Sequence, residues 1–231
     1  MDGLRVVDLN ADLGEEITDD EGLLAVVTSA NVACGYHAGT DAIMRSVCER
    51  AAELGVSIGA QVSYADRENF GRVDVDVAAH VLREQVADQV GVLTGHARAA
   101  GTWVRYVKPH GALYHRVAVD QERAGALLDG SGDLPVLGMP GSVVLALAAE
   151  RGRRGILEGF PDRAYAADGT LVARSEPGAV REDPREIAAR AVALSATVDS
   201  VCVHGDTPGA VEVAVAVRRA LEAVGLALQG L

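Results

Sequence analysis

Basic residues are in short supply: 21 Lys and Arg stand against 33 Asp and Glu in 231 residues, a formal net charge of −12. A surface of that sign argues against nucleic acid or an anionic membrane as the main partner, since both are held through basic faces. An anionic ligand would have to be met by cations gathered in one place. Aromatic residues are scarce too, at 3%, although 49% of the chain is hydrophobic. The core must therefore be built from Val, Ala and Leu, a composition suited to parallel strands covered by helices. Three cysteines, Cys34, Cys48 and Cys202, are odd in number and unrelated in spacing. They indicate neither a disulfide framework nor a CxxC metal knuckle, and a reducing cytoplasm is the expected setting. No apolar run approaches the roughly 18 residues of a membrane span, and no signal-peptide pattern opens the chain. Also missing are a Gly-x4-Gly-Lys-Ser/Thr phosphate loop, a Rossmann glycine fingerprint, internal repeats and any Ser/Gly/Pro-rich linker. The length suits one core, so residues 1–231 are expected to form a single domain.

What the chain does have is a repeated unit of short apolar run, polar turn and helix-patterned stretch. Seven strands are expected, centred on Val6-Val7, Asn31-Val32-Ala33, Ser57-Ile58-Gly59, Val104-Arg105-Tyr106-Val107, Val136-Leu137-Gly138, Ile156-Leu157-Glu158 and Val201-Cys202-Val203. Asp183-Pro184-Arg185-Glu186 reads as an N-cap, an N1 proline and an acidic first turn, and Thr207-Pro208 as a second helix start of that kind. Ala78, Leu82, Val86, Leu93 and Ala97 fall on one helical stripe. Strict strand–helix alternation implies a parallel sheet, either closed into a barrel or open and doubly wound. The stretch from Pro161 to Arg181 has no helix pattern and is long for a connection, which marks it as a lid or an extra hairpin.

Acids, amides and histidines gather where these strands finish. Asp8, Asn10, Asp12 and Glu15 follow or end the first, Asn31 and His37 flank the second, and Gln61 and Ser63 follow the third. Lys108 and His110 follow the fourth, Glu158 and Asp162 the sixth, and His204 and Asp206 the last. In a parallel barrel all of these ends share one face, the face on which such folds carry their sites. Glycines in Cys34-Gly35-Tyr36-His37-Ala38-Gly39, Pro109-His110-Gly111 and His204-Gly205-Asp206 would permit close backbone approach to a ligand. Lys108, held extended by Pro109, is expected to anchor an anion. His110 is expected to exchange a proton near neutral pH. His80 and His96 lie in helix-patterned stretches and read as surface residues.

The motifs Asp8-Leu9-Asn10-Ala11-Asp12-Leu13-Gly14-Glu15, Asn31 to Gly39, Val107-Lys108-Pro109-His110-Gly111-Ala112-Leu113-Tyr114 and Val203 to Pro208 resemble the signatures of the LamB/YcsF family. A fifth block, Glu158 to Tyr165 continuing through Asp168-Gly169-Thr170-Leu171-Val172 to Arg174-Ser175, extends the resemblance over nearly the whole chain. It implies an irregular seven-stranded βα barrel, similar to those of glycoside hydrolases and deacetylases. It also implies ATP-dependent conversion of 5-oxoproline to L-glutamate by a complex with two further subunits, B and C. Where the family usually has His and Asp, this chain has Gln61 and Thr40, which bears on any divalent metal between those positions and on substrate choice.

Opening an unstrained lactam calls for an activated amide oxygen, a cation for the substrate carboxylate, donors for the oxyanion and a base for water. Lys108, Arg163 and Arg174 are candidate anion contacts, and Asp12, His37, His110 and His204 are candidate bases. Asn10, Asn31, Gln61, Glu158 and Asp206 complete the expected substrate contacts. ATP would be bound chiefly by a partner or across an interface, and self-association is left open. Two other readings stand beside this one. A metal-dependent amide or carbohydrate hydrolase or deacetylase could act alone, with Asp12, His37 and His110 or His204 as ligands. A non-catalytic barrel could bind a small lactam or scaffold its partners.

Overall fold

In the computed structural model, residues 5–206 and 209–231 are described. Seven strands close into a parallel barrel: β1 (Val6–Leu13), β2 (Ser29–Ala33), β3 (Ser57–Val62), β4 (Val104–Pro109), β5 (Val136–Gly138), β6 (Gly155–Gly159) and β7 (Ser200–Val203). They pair in chain order, and β1 completes the circle by pairing with both β2 and β7. A two-residue strand that the sequence reading did not include, β8 (Ala227–Leu228), pairs in parallel with the start of β1 at Val6 and Val7. Around the barrel lie α1 (Asp20–Leu24), α2 (Asp41–Leu54), α3 (Ala79–Ala99), α4 (Gly111–Val119), α5 (Gln121–Gly130), α6 (Val143–Glu150), α7 (Pro184–Leu194) and α8 (Ala210–Ala223).

β1 shows why this sequence folds as it does. Its odd-numbered residues Val7, Leu9, Ala11 and Leu13 are buried in the apolar layer between barrel and helices. The alternate residues, Asp8, Asn10 and Asp12, are also buried, and the period of two turns them to the barrel interior. The polar residues are thus part of the strand, whereas the sequence reading placed them where strands end. The same correction applies to Gln61 and Lys108, which lie inside β3 and β4, while Asn31 and Glu158 lie in β2 and β6, within the strand centres expected for them. Tyr106, Leu137, Ile156 and Leu231 pack as a separate apolar group.

Helix ends follow local chemistry. Asp183 caps α7 by accepting from Arg185 N, with Pro184 in the first turn. Leu82, Val86, Leu93 and Ala97 form the buried stripe of α3, while Ala78 is its exposed N-cap. Thr207 and Pro208 lie outside the described residues, and α8 begins at Ala210 after Gly209 in a left-handed conformation. The 161–181 segment is a small hairpin, bridged antiparallel at Arg163–Val180 and Tyr165–Leu171.

Two glycines give the loops room for each other. A Cβ on Gly111, whose φ is +59°, would stand 2.3 Å from the Gly71 carbonyl oxygen, and one on Gly205 would stand 2.9 Å from that of Asp12. These contacts, of the start of α4 with the Gly71 loop and of the loop after β7 with β1, lie within the protein and do not involve a ligand. Inside the barrel, a Cβ on Gly59 would fall 2.1 Å from the Tyr106 ring. Gly59→Ala therefore has to displace Tyr106, and a loss of about 1–3 kcal/mol is expected from overpacking. Chemical denaturation of the variant and parent measures it.

Candidate functional site

The barrel interior is organised around Lys108 on β4. Its Nζ lies 2.9 Å from Asp12 Oδ1 of β1, 2.9 Å from Glu158 Oε1 of β6 and 3.1 Å from Cys202 Sγ of β7. Asn31 Nδ2 donates to Asp12 Oδ1 (2.8 Å) and to Asn10 Oδ1 (2.7 Å), and Tyr106 donates to Asn31 Oδ1 (2.6 Å). Asn10 Nδ2 donates to Ser200 Oγ (2.6 Å), and Tyr114 donates to Glu158 Oε2 (3.0 Å). Asp8, below this layer, accepts from Thr28, Ser29 and Ser200. Burial alone would raise the Asp12 carboxyl, but Lys108, helped by His204 and His110, outweighs it and holds Asp12 well below the usual carboxylate range. Burial likewise opposes the charge on Lys108, yet Asp12, Cys202 and Glu158 together push its ammonium well up. Asp8 has no such cation, and burial raises it to about 6 despite its three hydroxyl donors.

Beside Lys108 stands a histidine stack. The His37 and His110 rings are 4.2 Å apart and inclined by 17°, and Phe70 meets both edge-on at 5.8 and 5.3 Å. His37 Nε2 is 3.1 Å from Gln61 Oε1, while Gln61 Nε2 donates to Glu15 Oε1 at 3.0 Å. The amide therefore bridges the imidazole and the acid, using one acceptor and one donor. Desolvation lowers His37 to about 4, and desolvation with the neighbouring His37 puts His110 well below its ordinary value. Both imidazoles are neutral at neutral pH, so His110 is not poised to exchange a proton there. Glu15 is pushed well up by burial and by Asp12.

Above these layers opens a cavity of about 470 Å³ lined by Asp12, Glu15, Lys108, His110, Tyr114, Phe160 and His204, with Arg72, Arg163, Arg174 and Asp206 nearer the loops. His204 Nδ1 is 2.7 Å from Asp162 Oδ2, and Phe160 stacks on its ring. Burial would raise Asp162, but His204 outweighs it and keeps the acid lowered. Arg163 and Arg174 come from the 161–181 hairpin, and Asp206 pairs with both Arg72 and Arg174.

A divalent metal does not fit either cluster of ligand-type side chains among the described residues. Asp12, Cys202 and His204 converge, but the Lys108 ammonium already stands against both Asp12 and Cys202. In the cluster of Glu15, His37 and His110, the two imidazoles are stacked nearly parallel. Their lone pairs lie in the ring planes, and such planes do not meet at a metal–nitrogen distance of about 2 Å.

The structure brings the sequence-selected residues together in two tiers. Asp12, Lys108, His110, Arg163, Arg174, His204 and Asp206 line the cavity, while Asn10, Asn31, His37, Gln61 and Glu158 lie buried behind it. Lys108, expected to hold an incoming anion, is instead neutralised by Asp12 and Glu158. Thr40 is an exposed N-cap of α2, its hydroxyl accepting from Ile43 N. Threonine and aspartate are both favoured as caps, so Thr40 marks a helix start, not a change at the cavity. His80 is exposed, and His96 meets Asp41 at the surface. Arg72, Phe70 and the partnership of Asp162 with His204 escaped the sequence reading. One signal was available: Phe70 and Phe160 are the only phenylalanines in the chain, and both stand at this site. Phe70 is also a bulky residue at φ 58°, a conformation sustained only by its surroundings.

This fold and site define a LamB/YcsF barrel. Residues 7–231 match the model of the LamB/YcsF family, and the chain belongs to it. The 5-oxoprolinase A subunit of Streptomyces avermitilis is 54% identical over 96% of this chain and 98% of its own length. The crystal structure of a lactam utilization protein from Thermus thermophilus superposes with a TM-score of 0.91 at 35% identity, covering 97% of this chain and 99% of that one. A xylanase Xyl-CE4 domain from a termite hindgut metagenome shares the fold, with a TM-score of 0.59 at 14% identity over 99% of this chain and 88% of that one.

Two outcomes follow from the buried charges. Lys108→Met leaves Asp12 and Glu158 without their cation and is expected to cost about 3–5 kcal/mol, because breaking a buried pair is far costlier than losing an exposed one. Urea unfolding at pH 7 measures the loss; a change below about 1 kcal/mol would show that the pair is solvated. His37 titrates near 6.5 when unfolded and near 4 when folded. Between those values the unfolded chain holds more protons, so this group's stability contribution falls as pH falls. The full difference is about 3 kcal/mol at 1.36 kcal/mol per pH unit. Asp8 acts in the opposite sense, but equally in both proteins if His37→Gln is compared with the parent. Unfolding free energies at pH 7 and pH 4 should therefore converge in the variant relative to the parent.

Proposed function

We propose that this chain is the A subunit of an ATP-dependent 5-oxoprolinase, opening 5-oxo-L-proline to L-glutamate together with subunits B and C. Similarity over nearly the full length to the 5-oxoprolinase A subunit carries this reading, and the chemistry of the cavity supports it. ATP places a phosphoryl group on the lactam oxygen, at a site supplied mainly by the partners. Water then adds to the activated carbon and gives its proton to His204, whose Nδ1 is held by Asp162 and whose Nε2 is left for the cavity. The ring C–N bond breaks as His204 returns that proton to the leaving nitrogen, forming γ-glutamyl phosphate. A second water converts this to glutamate and phosphate.

The other residues hold the substrate for these steps. Asp12 Oδ1 is engaged by Lys108 and Asn31, so its other oxygen accepts the lactam N–H. Neutral His110, which lines the cavity, offers a hydrogen bond to the substrate without adding charge. Lys108 keeps Asp12 ionised and in place. No step uses a metal, in keeping with the poor fit of the ligand clusters.

Glutamate release coupled to ATP hydrolysis in the complex reconstituted from three subunits tests the proposal. His204→Ala is expected to lower kcat by about a hundredfold or more with KM little changed. Asp162→Asn should show a smaller loss in the same direction. The isolated chain should show no ATP-coupled turnover. Parent-like turnover in His204→Ala would remove His204 as the base, and absence of turnover in the complete complex would sink the reaction itself.

A further inference from the structure

Three guanidinium groups stand at the cavity mouth, and two of them share one acid. Arg72 and Arg174 both reach Asp206 Oδ2, the latter at 3.3 Å. Arg163 is 4% exposed; its Nη2 donates to the Val172 carbonyl at 2.7 Å. Its Nε is buried with no partner among the described residues. Asp162 is engaged by His204 and offsets part of this charge. The mutual influence of the three shows in Arg163, lowered first by burial and then by Arg174, with Asp162 and Tyr165 opposing and Arg72 adding a smaller lowering. Arg116, on the same cavity, is different in kind: it has Asp74 and Asp120 within ion-pair range.

A buried guanidinium with an unpartnered N–H, crowded by two further arginines, is costly unless an anion completes the group. Guanidinium forks match the tetrahedral oxygens of a phosphoryl group, and a dianion answers more of their charge than one carboxylate does. Lys108 cannot take this part, being neutralised by its two acids. We propose that Arg72, Arg163 and Arg174 form a phosphoryl-binding subsite at the mouth of the barrel. Its place in the reaction rests on the ring-opening reading above: the phosphoryl group would be that of the activated lactam, or the terminal phosphate of a nucleotide presented by a partner. Either source presents the same chemistry to the three arginines.

Calorimetric titration of the isolated full chain with inorganic phosphate, ADP and L-glutamate tests the subsite without requiring turnover. Phosphate should bind, and Arg72→Gln and Arg174→Gln should each weaken it tenfold or more. Arg116→Gln, which changes the charge of the same cavity by the same amount, should shift the affinity less than threefold. Both arginines tested are partly exposed, and circular dichroism should show each variant folded. ADP binding more tightly than phosphate, with the same loss in the variants, would assign the group to a nucleotide; ADP binding no more tightly would assign it to the activated substrate. Both outcomes uphold the subsite. Failure of phosphate to bind, equal binding by the Arg72 and Arg174 variants, or L-glutamate binding as tightly with the same losses would overturn it. Absent 5-oxoproline turnover in the complete complex would sink the reaction but leave a phosphate site that these titrations still detect.

Discussion

A lysine almost wholly removed from water, wedged between the carboxyl groups of Asp12 and Glu158, is the arrangement on which the rest of this barrel depends. Taking one ammonium and two acids out of water costs several kcal/mol per ion. That cost is offset only while the partners stay within hydrogen-bond reach and their remaining lone pairs are used. The interior supplies this in detail. Asn31 ties Asp12 to Asn10, Asn10 reaches Ser200, Tyr114 takes the far oxygen of Glu158, and Tyr106 finds Asn31 because Gly59 has no side chain to obstruct it. Five strands contribute, and only a closed parallel sheet directs side chains from all of them to one axis.

The two tiers of the site divide the work by dielectric. In the deep tier, charges are paired, imidazoles are neutral, and the arrangement is fixed. In the upper tier, water reaches His204, Arg72 and Arg174, and pairing is incomplete. Groups below are fixed in place by their partners, while groups above keep hydrogen-bonding capacity open to the cavity. This division also explains why the buried histidines and His204 are not interchangeable, although all three follow strands in the same manner. Desolvation lowers His37 and His110, whose acid neighbour Glu15 is itself buried and pushed up, whereas His204 is partly exposed and has Asp162 at 2.7 Å.

The seven strands were legible because each carries a short apolar run, and the hairpin was legible as a stretch without periodicity. Closure of the sheet was not, since alternation of strand and helix is shared by open and closed forms, and it came from the family motifs. Strand ends lie beyond the apolar runs that mark them, because such a run is only part of its strand. In Asp8-Leu9-Asn10-Ala11-Asp12-Leu13 the alternation of polar and apolar residues was present, and in a barrel with a polar interior it is the signal that counts. Lys108 illustrates a different limit. Its position was found, but its role was inverted, because nothing local in Val-Lys-Pro-His states that acids from β1 and β6 lie opposite. Arg72 sits in a loop of mixed charge with no pattern to single it out, and it acquires meaning only through Asp206, 134 residues further along the chain.

The small hairpin between Pro161 and Arg181 carries Asp162, Arg163 and Arg174 on one piece of backbone. The Asp162–His204 contact and the cluster of arginines at the mouth are thereby mechanically joined: a displacement of this segment loosens both at once. Whatever seats the hairpin, a filled cavity or a neighbouring protein resting on its outer side, sets both conditions in a single movement. A half-assembled site, able to bind but not to react or to react without holding its ligand, is correspondingly disfavoured.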